Sequence, residues 1–193
     1  MKKHTESVVF SRRGFIQRSA LATAAVGLGV GANPRPVLAA GYEARLGEMG
    51  ITLPEIPPPV ANYVPYRVAG NLAYIAGQLA FKDGELMHPG KVPEEISIEQ
   101  AQEAAQQCVV NMIAALKAAC DGDLDRVQMC LRLEGFVASA DDFTQQSQVM
   151  NGASNFMVEV FGDVGRHSRI AVGVNTLPLN ASVEVAGVFS IAV

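Results

Sequence analysis

Two segments near the C-terminus, residues 169–174 and 182–191, alternate between apolar side chains and small or polar ones. A repeat of two residues predicts β-strands. The segment that joins them contains Asn-Thr-Leu-Pro-Leu-Asn, which is typical of a turn. The two strands are therefore predicted to form a hairpin.

Arg169 is the charged residue at the head of the first strand, which continues with Ile, Ala, Val and Gly. A guanidinium that is buried without a partner costs several kcal/mol, so Arg169 needs either an anion or a solvated cleft. The anion is either Glu184 on the second strand or the carboxylate of a ligand.

Two further strands are predicted at residues 63–70 and 72–79, joined by a Gly-Asn turn. Pro65 lacks a backbone N–H and cannot donate to a neighbouring strand. Either the first strand lies at a sheet edge, or Pro65 is among the first residues of that strand. Gly77 lies inside the second strand and predicts a β-bulge or the close approach of another backbone or a ligand.

Two helices are predicted. The capping box Ser97-Ile-Glu-Gln100 begins the first, whose apolar residues recur every three or four positions as far as Ala119. The second covers residues 146–161, with Gly162 after its end. Asn and Gly at 151–152 weaken this helix, so either it packs tightly there or the Asn151 amide is used.

Another strand is predicted at residues 126–137, and its core side is expected to consist of Val127, Met129, Leu131 and Leu133. The order β-β-α-β-α-β-β predicts an α+β domain with two helices on one face of a mostly antiparallel sheet. The other face is expected to carry Arg132, Glu134, Arg169 and Glu184. That set is too polar for a second core, so we expect a subunit interface or a binding site there.

The first forty residues are predicted to be an export signal. Ser-Arg-Arg-Gly-Phe-Ile at 11–16 resembles the twin-arginine motif, and an apolar run and small residues at 37 and 39 follow. The apolar run is too short to span a bilayer. We therefore expect a signal peptide at 1–39, an N-terminal extension and Pro-rich connector at 40–62, and one domain at 63–193. The protein is expected to reach the periplasm folded, touching the membrane only during export.

Charge argues against a nucleic-acid partner. Six of the fifteen basic residues precede residue 40, whereas only one of the nineteen acidic residues does. The remainder carries a net charge of −9 and should repel phosphate backbones. Residues 41–193 show no spacing typical of a metal site or a phosphate loop, so we expect no metal and no cofactor. The three cysteines are interpreted as small buried hydrophobes.

The chain resembles the Rid family, also called the YjgF or L-PSP endoribonuclease family, from about residue 43 to the C-terminus. The resemblance rests on Tyr63, Tyr74-Ile-Ala-Gly-Gln78, Met150-Asn-Gly-Ala153 and Arg169-Ile-Ala-Val-Gly-Val-Asn-Thr-Leu-Pro178. It implies a chorismate-mutase-like fold and a homotrimer whose sheets face inward, with three clefts between subunits. Asn-Gly-Ala-Ser and Gly-Arg-His-x-Arg are similar to a bacterial subgroup of the family.

The resemblance also implies a set of site residues. Arg169 matches an arginine that binds the substrate carboxylate, for which the guanidinium fork is suited. The other matching positions are Tyr63, Asn151 and Gly77. Ala76 stands in place of a hydroxyl residue, and Ala186 stands in place of the glutamate that holds the attacking water. Glu184 lies two residues before that position.

His167, between two arginines, is a further candidate for a general base, although nearby cations keep its pKa low.

Three functions follow as alternatives. The first is an imine or enamine deaminase that hydrolyses small 2-imino acids to keto acids and ammonia. The second is a non-catalytic trimer that binds small carboxylates in the same clefts, which Ala186 favours because nothing there positions water. The third is an endoribonuclease, against which the acidic charge counts.

Overall fold

The computed structural model describes residues 41–56 and 62–193, so the predicted export signal lies outside the described residues. The helices are α1 (Tyr42–Glu48), α2 (Ile98–Ala119), α3 (Gln146–Val149) and α4 (Asn151–Phe161). The strands are β1 (Tyr66–Ala69), β2 (Leu72–Leu79), β3 (Phe81–Lys82), β4 (Glu85–Leu86), β5 (Val127–Ala138), β6 (Ser168–Val174) and β7 (Val183–Ile191). No helix in these ranges is long and apolar enough to cross a bilayer.

Five strands form one sheet in the order β1-β2-β7-β5-β6, and β3 pairs with β4 in a small hairpin. Neighbouring strands of the large sheet are antiparallel, except that β5 and β6 are parallel. The helices pack on one face of this sheet. The predicted α+β class, with a mixed sheet and helices on one face, is confirmed. The edge position predicted from Pro65 also holds, since β1 is an edge strand.

The predicted hairpin between β6 and β7 is wrong. β5 lies between the two strands, parallel to β6 and antiparallel to β7. The segment after β6 therefore carries the chain past β5 instead of reversing it beside β6. A period of two residues identifies a strand, but its partner is decided by long-range packing.

The predicted inward set of β5 is correct only in part. Val127 and Leu133 are buried, but Met129 is 48% exposed and Cys130 is buried in the core. The pairing with β7 shifts register twice, between Val127 and Met129 and between Cys130 and Arg132. Each shift changes which residues face the helices, so strict alternation fails there.

The capping box of α2 is confirmed. Ser97 Oγ accepts from the Gln100 backbone N–H at 3.2 Å, and Gln100 Oε1 accepts from the Ser97 N–H at 2.9 Å. The helix then buries a nearly continuous stripe of alanines and larger apolar residues against the sheet. Each fully buried Leu, Ile or Met contributes about 1.5–3 kcal/mol, so α2 is the main source of core stability.

The second predicted helix is divided into α3 and α4 at Met150. A Cβ at Gly152 would overlap the backbone carbonyl oxygen of Gln102 in α2, so the helices approach through the missing side chain. Gln102 Nε2 also donates to the Gln148 carbonyl oxygen at 2.8 Å. The tight packing expected at this point is confirmed, and the Asn151 amide is used as well, as described below.

All three cysteines are buried free thiols. Cys108 Sγ donates to the Val183 carbonyl oxygen at 3.6 Å. Burial raises the pKa of Cys130 to about 12, so this thiol stays protonated at neutral pH. Their interpretation as small buried hydrophobes is confirmed.

Candidate functional site

The six predicted site residues lie in two separate groups. The first group, which we call the bulge group, lies around the end of β2 and consists of Tyr63, Ala76, Gly77 and Glu184. The second, the edge group, lies at the outer strand β6 and consists of Asn151 and Arg169. Gly77 on β2 is three strand spacings from β6 and Glu184 on β7 is two, so the two groups are roughly 10–14 Å apart at about 4.8 Å per strand.

The bulge group is built around Gly77. The pairing of β2 with β7 shifts register between Ile75 and Gln78, and a Cβ at Gly77 would overlap Glu184 Oε1. The predicted bulge is confirmed, and the group that approaches Gly77 is the Glu184 side chain, not the backbone or ligand that the sequence suggested. The Ala76 N–H donates to the Pro65 carbonyl oxygen at 3.0 Å, which brings the segment after Tyr63 beside the bulge. The Tyr63 side chain is 57% exposed.

Glu184 is a half-buried acid on the face of the sheet opposite the helices. No hydrogen bond or ion pair to its carboxylate occurs among residues 41–56 and 62–193. Burial without a compensating cation raises the pKa of Glu184. A carboxyl group in this state can exchange protons closer to neutral pH than an exposed one.

Replacing Glu184 by glutamine should stabilise the protein at pH 7. Folding raises the pKa of Glu184 above its ordinary value of 4.5, so the ionised carboxylate destabilises the folded protein at pH values above 4.5. Below pH 4.5 the group is protonated in both states and this destabilisation disappears. The group is only half-buried, so the gain should stay below about 1 kcal/mol. Thermal unfolding of both proteins at pH 7 and pH 4 measures it. A glutamine variant that is equally stable at pH 7 would show that solvent already compensates the charge.

Arg169 is held by neutral groups of the α3–α4 region. Its Nη1 donates to Asn151 Oδ1 at 3.1 Å and to Ser154 Oγ at 3.0 Å, and its Nη2 donates to the Ser147 carbonyl oxygen at 3.3 Å. These contacts show that Arg169 projects from the helix side of the sheet. The expectation that it shares the opposite face with Arg132 and Glu134 is therefore wrong.

The Arg169 guanidinium keeps two donors and its full charge. Among the described residues, two hydrogen bonds leave Nη1, one leaves Nη2 and none leaves Nε, so the Nε–H and one Nη2–H have no partner there. These two nitrogens form the side of a guanidinium that commonly binds both oxygens of a carboxylate. None of the ion pairs found within the described ranges includes Arg169. The pair with Glu184 that the sequence allowed does not form, because β5 separates their strands.

Ser154 and His167 extend the edge group. His167 Nδ1 lies 2.7 Å from the Gly165 carbonyl oxygen, which can only accept, so Nδ1 carries the hydrogen. His167 Nε2 then accepts from Ser154 Oγ at 3.0 Å. Burial, and to a smaller degree the charge of Arg169, lower the pKa of His167 despite the Gly165 hydrogen bond, which raises it. The imidazole is therefore neutral at pH 7.

Ser154 was not assigned a role from the sequence. A signal was present, since Ser154 follows Asn151 by three residues and both therefore lie on one face of α4. The two segments at 151–154 and 165–169 meet in this single hydrogen-bonded cluster.

The position of Ala186 offers no carboxylate of its own. Its partner in register on β5 is Glu134, whose Oε1 lies 2.8 Å from Arg132 Nε. The Arg132 N–H does not point at that oxygen, so the contact is an ion pair without an aligned hydrogen bond. Glu134 is therefore already engaged, whereas Glu184 is not. Among the described residues, no group of three or more His, Cys, Asp or Glu could hold a metal ion.

The sheet face opposite the helices exposes several large apolar side chains. Their relative exposures range from 40% to 48%, and they are Tyr74, Met129, Ile170 and Val172. Apolar side chains grouped on one face of a sheet are typical of a surface that another chain covers.

The fold and its motifs agree with one known family. The family model described as "YjgF/chorismate_mutase-like, putative endoribonuclease" matches residues 43–190. The chain belongs to this family. The bulge at Gly77 and the Arg169 strand both fall inside the matched range.

Related proteins cover nearly the whole matched domain. Protein TCP17 of Trypanosoma cruzi is 42% identical over 151 residues, which is 77% of this chain and 94% of that protein. The crystal structure of Atu1372 from Agrobacterium tumefaciens, a protein of unknown function, is 45% identical with a TM-score of 0.73, covering 78% and 92% of the two chains. A structure named a putative endoribonuclease from Shewanella oneidensis is 31% identical with a TM-score of 0.75, covering 79% and 100%.

Proposed function

We propose that this YjgF-family protein binds small 2-imino and 2-keto acids through Arg169 and hydrolyses the imines to 2-keto acids and ammonia. The observation that carries the proposal is the uncommitted Nε and Nη2 edge of the Arg169 guanidinium. Two parallel N–H donors on one cation match the two oxygens of a carboxylate.

The neutral partners of Arg169 strengthen this assignment. Asn151, Ser154 and the Ser147 carbonyl group fix the guanidinium without cancelling its charge. An internal carboxylate would instead compete with the ligand. A fixed cation with two free donors pays little ordering cost when an anion arrives.

We also propose that the site is completed by a second copy of the chain in a homotrimer. Within one chain the bulge group and the edge group are roughly 10–14 Å apart, too far for one small ligand to bridge. The exposed apolar side chains opposite the helices supply a surface for assembly. A cleft between copies would place Gly77 and Glu184 of one chain opposite Arg169 of another.

Glu184 is the proposed acid–base group. Hydrolysis adds the water oxygen to the imine carbon while one water proton moves to nitrogen. The C–N bond then breaks as the hydroxyl proton also moves to nitrogen, which leaves a 2-keto acid and ammonia. Glu184 lies two residues from Ala186 and therefore on the same face of β7, with a raised pKa that suits proton transfer.

A second candidate function is favoured by Ala186. If Glu184 does not reach the water, the protein binds small carboxylates without turnover. The name endoribonuclease is attached to relatives, but for this chain we consider RNA cleavage the weakest alternative, because its net charge beyond residue 40 is −9.

Ammonia release decides between turnover and binding. A 2-imino acid generated by an amino-acid oxidase should be cleared faster in the presence of the protein, and 2-oxobutyrate should bind by titration calorimetry. Binding without ammonia release would favour the second candidate. Absence of both would contradict the proposal.

We propose that the protein acts in the periplasm after folded export. The twin-arginine motif supports this location. Replacing Arg12 and Arg13 by lysine should leave the protein in the cytoplasmic fraction, and a periplasmic variant would contradict the route.

A further inference from the structure

We infer that Ser154 and His167 form a nucleophile–base pair that transfers acyl groups from small esters or thioesters to water. This activity goes beyond the imine chemistry and does not depend on carboxylate binding by the free edge of Arg169.

The hydrogen bonds run in one direction through the pair. Arg169 Nη1 donates to Ser154 Oγ, whose own hydrogen goes to His167 Nε2, while His167 Nδ1 donates to the Gly165 carbonyl oxygen. A hydroxyl bonded to a neutral imidazole nitrogen, with the other ring nitrogen oriented by a third group, is the arrangement that activates serine. Here a backbone carbonyl takes the orienting role.

The Ser154 hydroxyl does not make the hydrogen bond that is common for a serine inside a helix. Such a residue commonly bonds the carbonyl group four positions earlier with its own hydroxyl. In α4 the Met150 carbonyl oxygen accepts the Ser154 backbone N–H at 3.0 Å, and the hydroxyl reaches across to β6. Ser154 and His167 are both only partly buried, so a small substrate can reach the oxygen.

The chemical steps balance without a cofactor. Ser154 Oγ attacks the acyl carbon, forming a C–O bond, and its proton moves to His167 Nε2. The bond from the acyl carbon to the alcohol or thiol then breaks, and the leaving group takes that proton. Water, losing a proton to Nε2, next attacks the acyl-serine, and the acid departs as Oγ regains its proton. Arg169 Nη1 lies 3.0 Å from Oγ and therefore places a positive charge beside the acyl carbon, whose carbonyl oxygen becomes negative as the bond forms.

A fluorophosphonate probe tests the pair on the purified protein. Oγ forms a bond to phosphorus, fluoride leaves, and the added mass should map to the peptide that contains Ser154. His167→Gln should slow labelling at least about 100-fold, since general-base catalysis contributes about 10² to 10⁴. The labelling rate of the wild-type protein should decrease only when the pH is lowered below 6.5, because the pKa of His167 lies below its ordinary value.

Ser168→Ala is the matched control. Ser168 lies beside His167 in the sequence, but its hydroxyl donates to the Leu131 carbonyl oxygen at 2.7 Å, so labelling should be unchanged. Three results would each overturn the inference. The wild-type protein could be labelled at Ser168, it could show no labelling above the Ser154→Ala background, or the wild-type and His167→Gln proteins could be labelled at equal rates. Calorimetry with 2-oxobutyrate on the same wild-type sample shows independently whether the carboxylate site is present.

Discussion

Replacing Arg169 by alanine is expected to raise the dissociation constant for 2-oxobutyrate at least about 100-fold and to abolish ammonia release. The substitution removes two charge-assisted hydrogen bonds to the carboxylate, each worth about 1.5–3 kcal/mol. Because no acid pairs with Arg169 within the described ranges, its loss leaves no buried carboxylate behind. Titration calorimetry and the ammonia assay measure the two effects.

Two comparison variants sharpen this result. Arg169→Lys keeps the charge but lacks the parallel donors, so it should recover only part of the affinity. Arg166→Ala removes a nearby exposed arginine, whose Nε donates to Asp163 Oδ1 at 3.1 Å, and should leave binding unchanged. Equal affinity in the Arg169→Ala protein would show that the ligand binds elsewhere.

Replacing Gly152 by alanine is expected to reduce the free energy of unfolding by about 3 kcal/mol. The new Cβ would overlap the Gln102 carbonyl oxygen and lie 2.8 Å from the carbonyl carbon. These are backbone atoms inside α2, so the helices must separate. Alanine has a helix propensity about 1 kcal/mol more favourable than that of glycine. A reduced stability of Gly152→Ala would therefore show that the steric clash with α2 outweighs the gain in helix propensity. The melting temperature should fall by roughly 6–12 °C.

Gly47→Ala is the matched control for this prediction. Gly47 also lies in a helix, and a Cβ there would meet no atom within 4 Å. This variant should be neutral or up to about 1 kcal/mol more stable. An equally stable Gly152→Ala protein would show that α2 and α4 can move apart at no cost. Since Asn151 and Ser154 flank Gly152, the destabilised variant should also hold Arg169 less well.

Local chemistry was sufficient to predict α2 and the close packing or bulges at Gly152 and Gly77, but not α1 or the division between α3 and α4. The capping box at Ser97 and the stripe of alanines after it specify α2 without reference to the rest of the chain. Gly77 predicted a bulge because a strand seldom contains a glycine without a close neighbour. The neighbour is Glu184, which sequence spacing could not identify.

The sequence allowed the candidate site residues to be chosen, but not their contacts or their positions relative to one another. Arg169 stood out because a cation among apolar residues needs a partner. Its actual partners, Asn151, Ser147 and Ser154, come from a different element and become neighbours only when α4 packs beside β6. The division into a bulge group and an edge group likewise depends on strand order.

The amino-acid sequence by itself determined the family, the α+β class and the positions of the five long strands and of α2, because these depend on periodicity, caps and motifs within short stretches. Only the tertiary structure decided that β5 lies between β6 and β7 and that Met129 faces outward. It also decided that neutral groups bind Arg169, while no cation in the described part of the chain pairs with Glu184. Strand pairing and register arise from contacts between residues far apart in the chain. Alternation of side chains carries no information about which strand lies next to which.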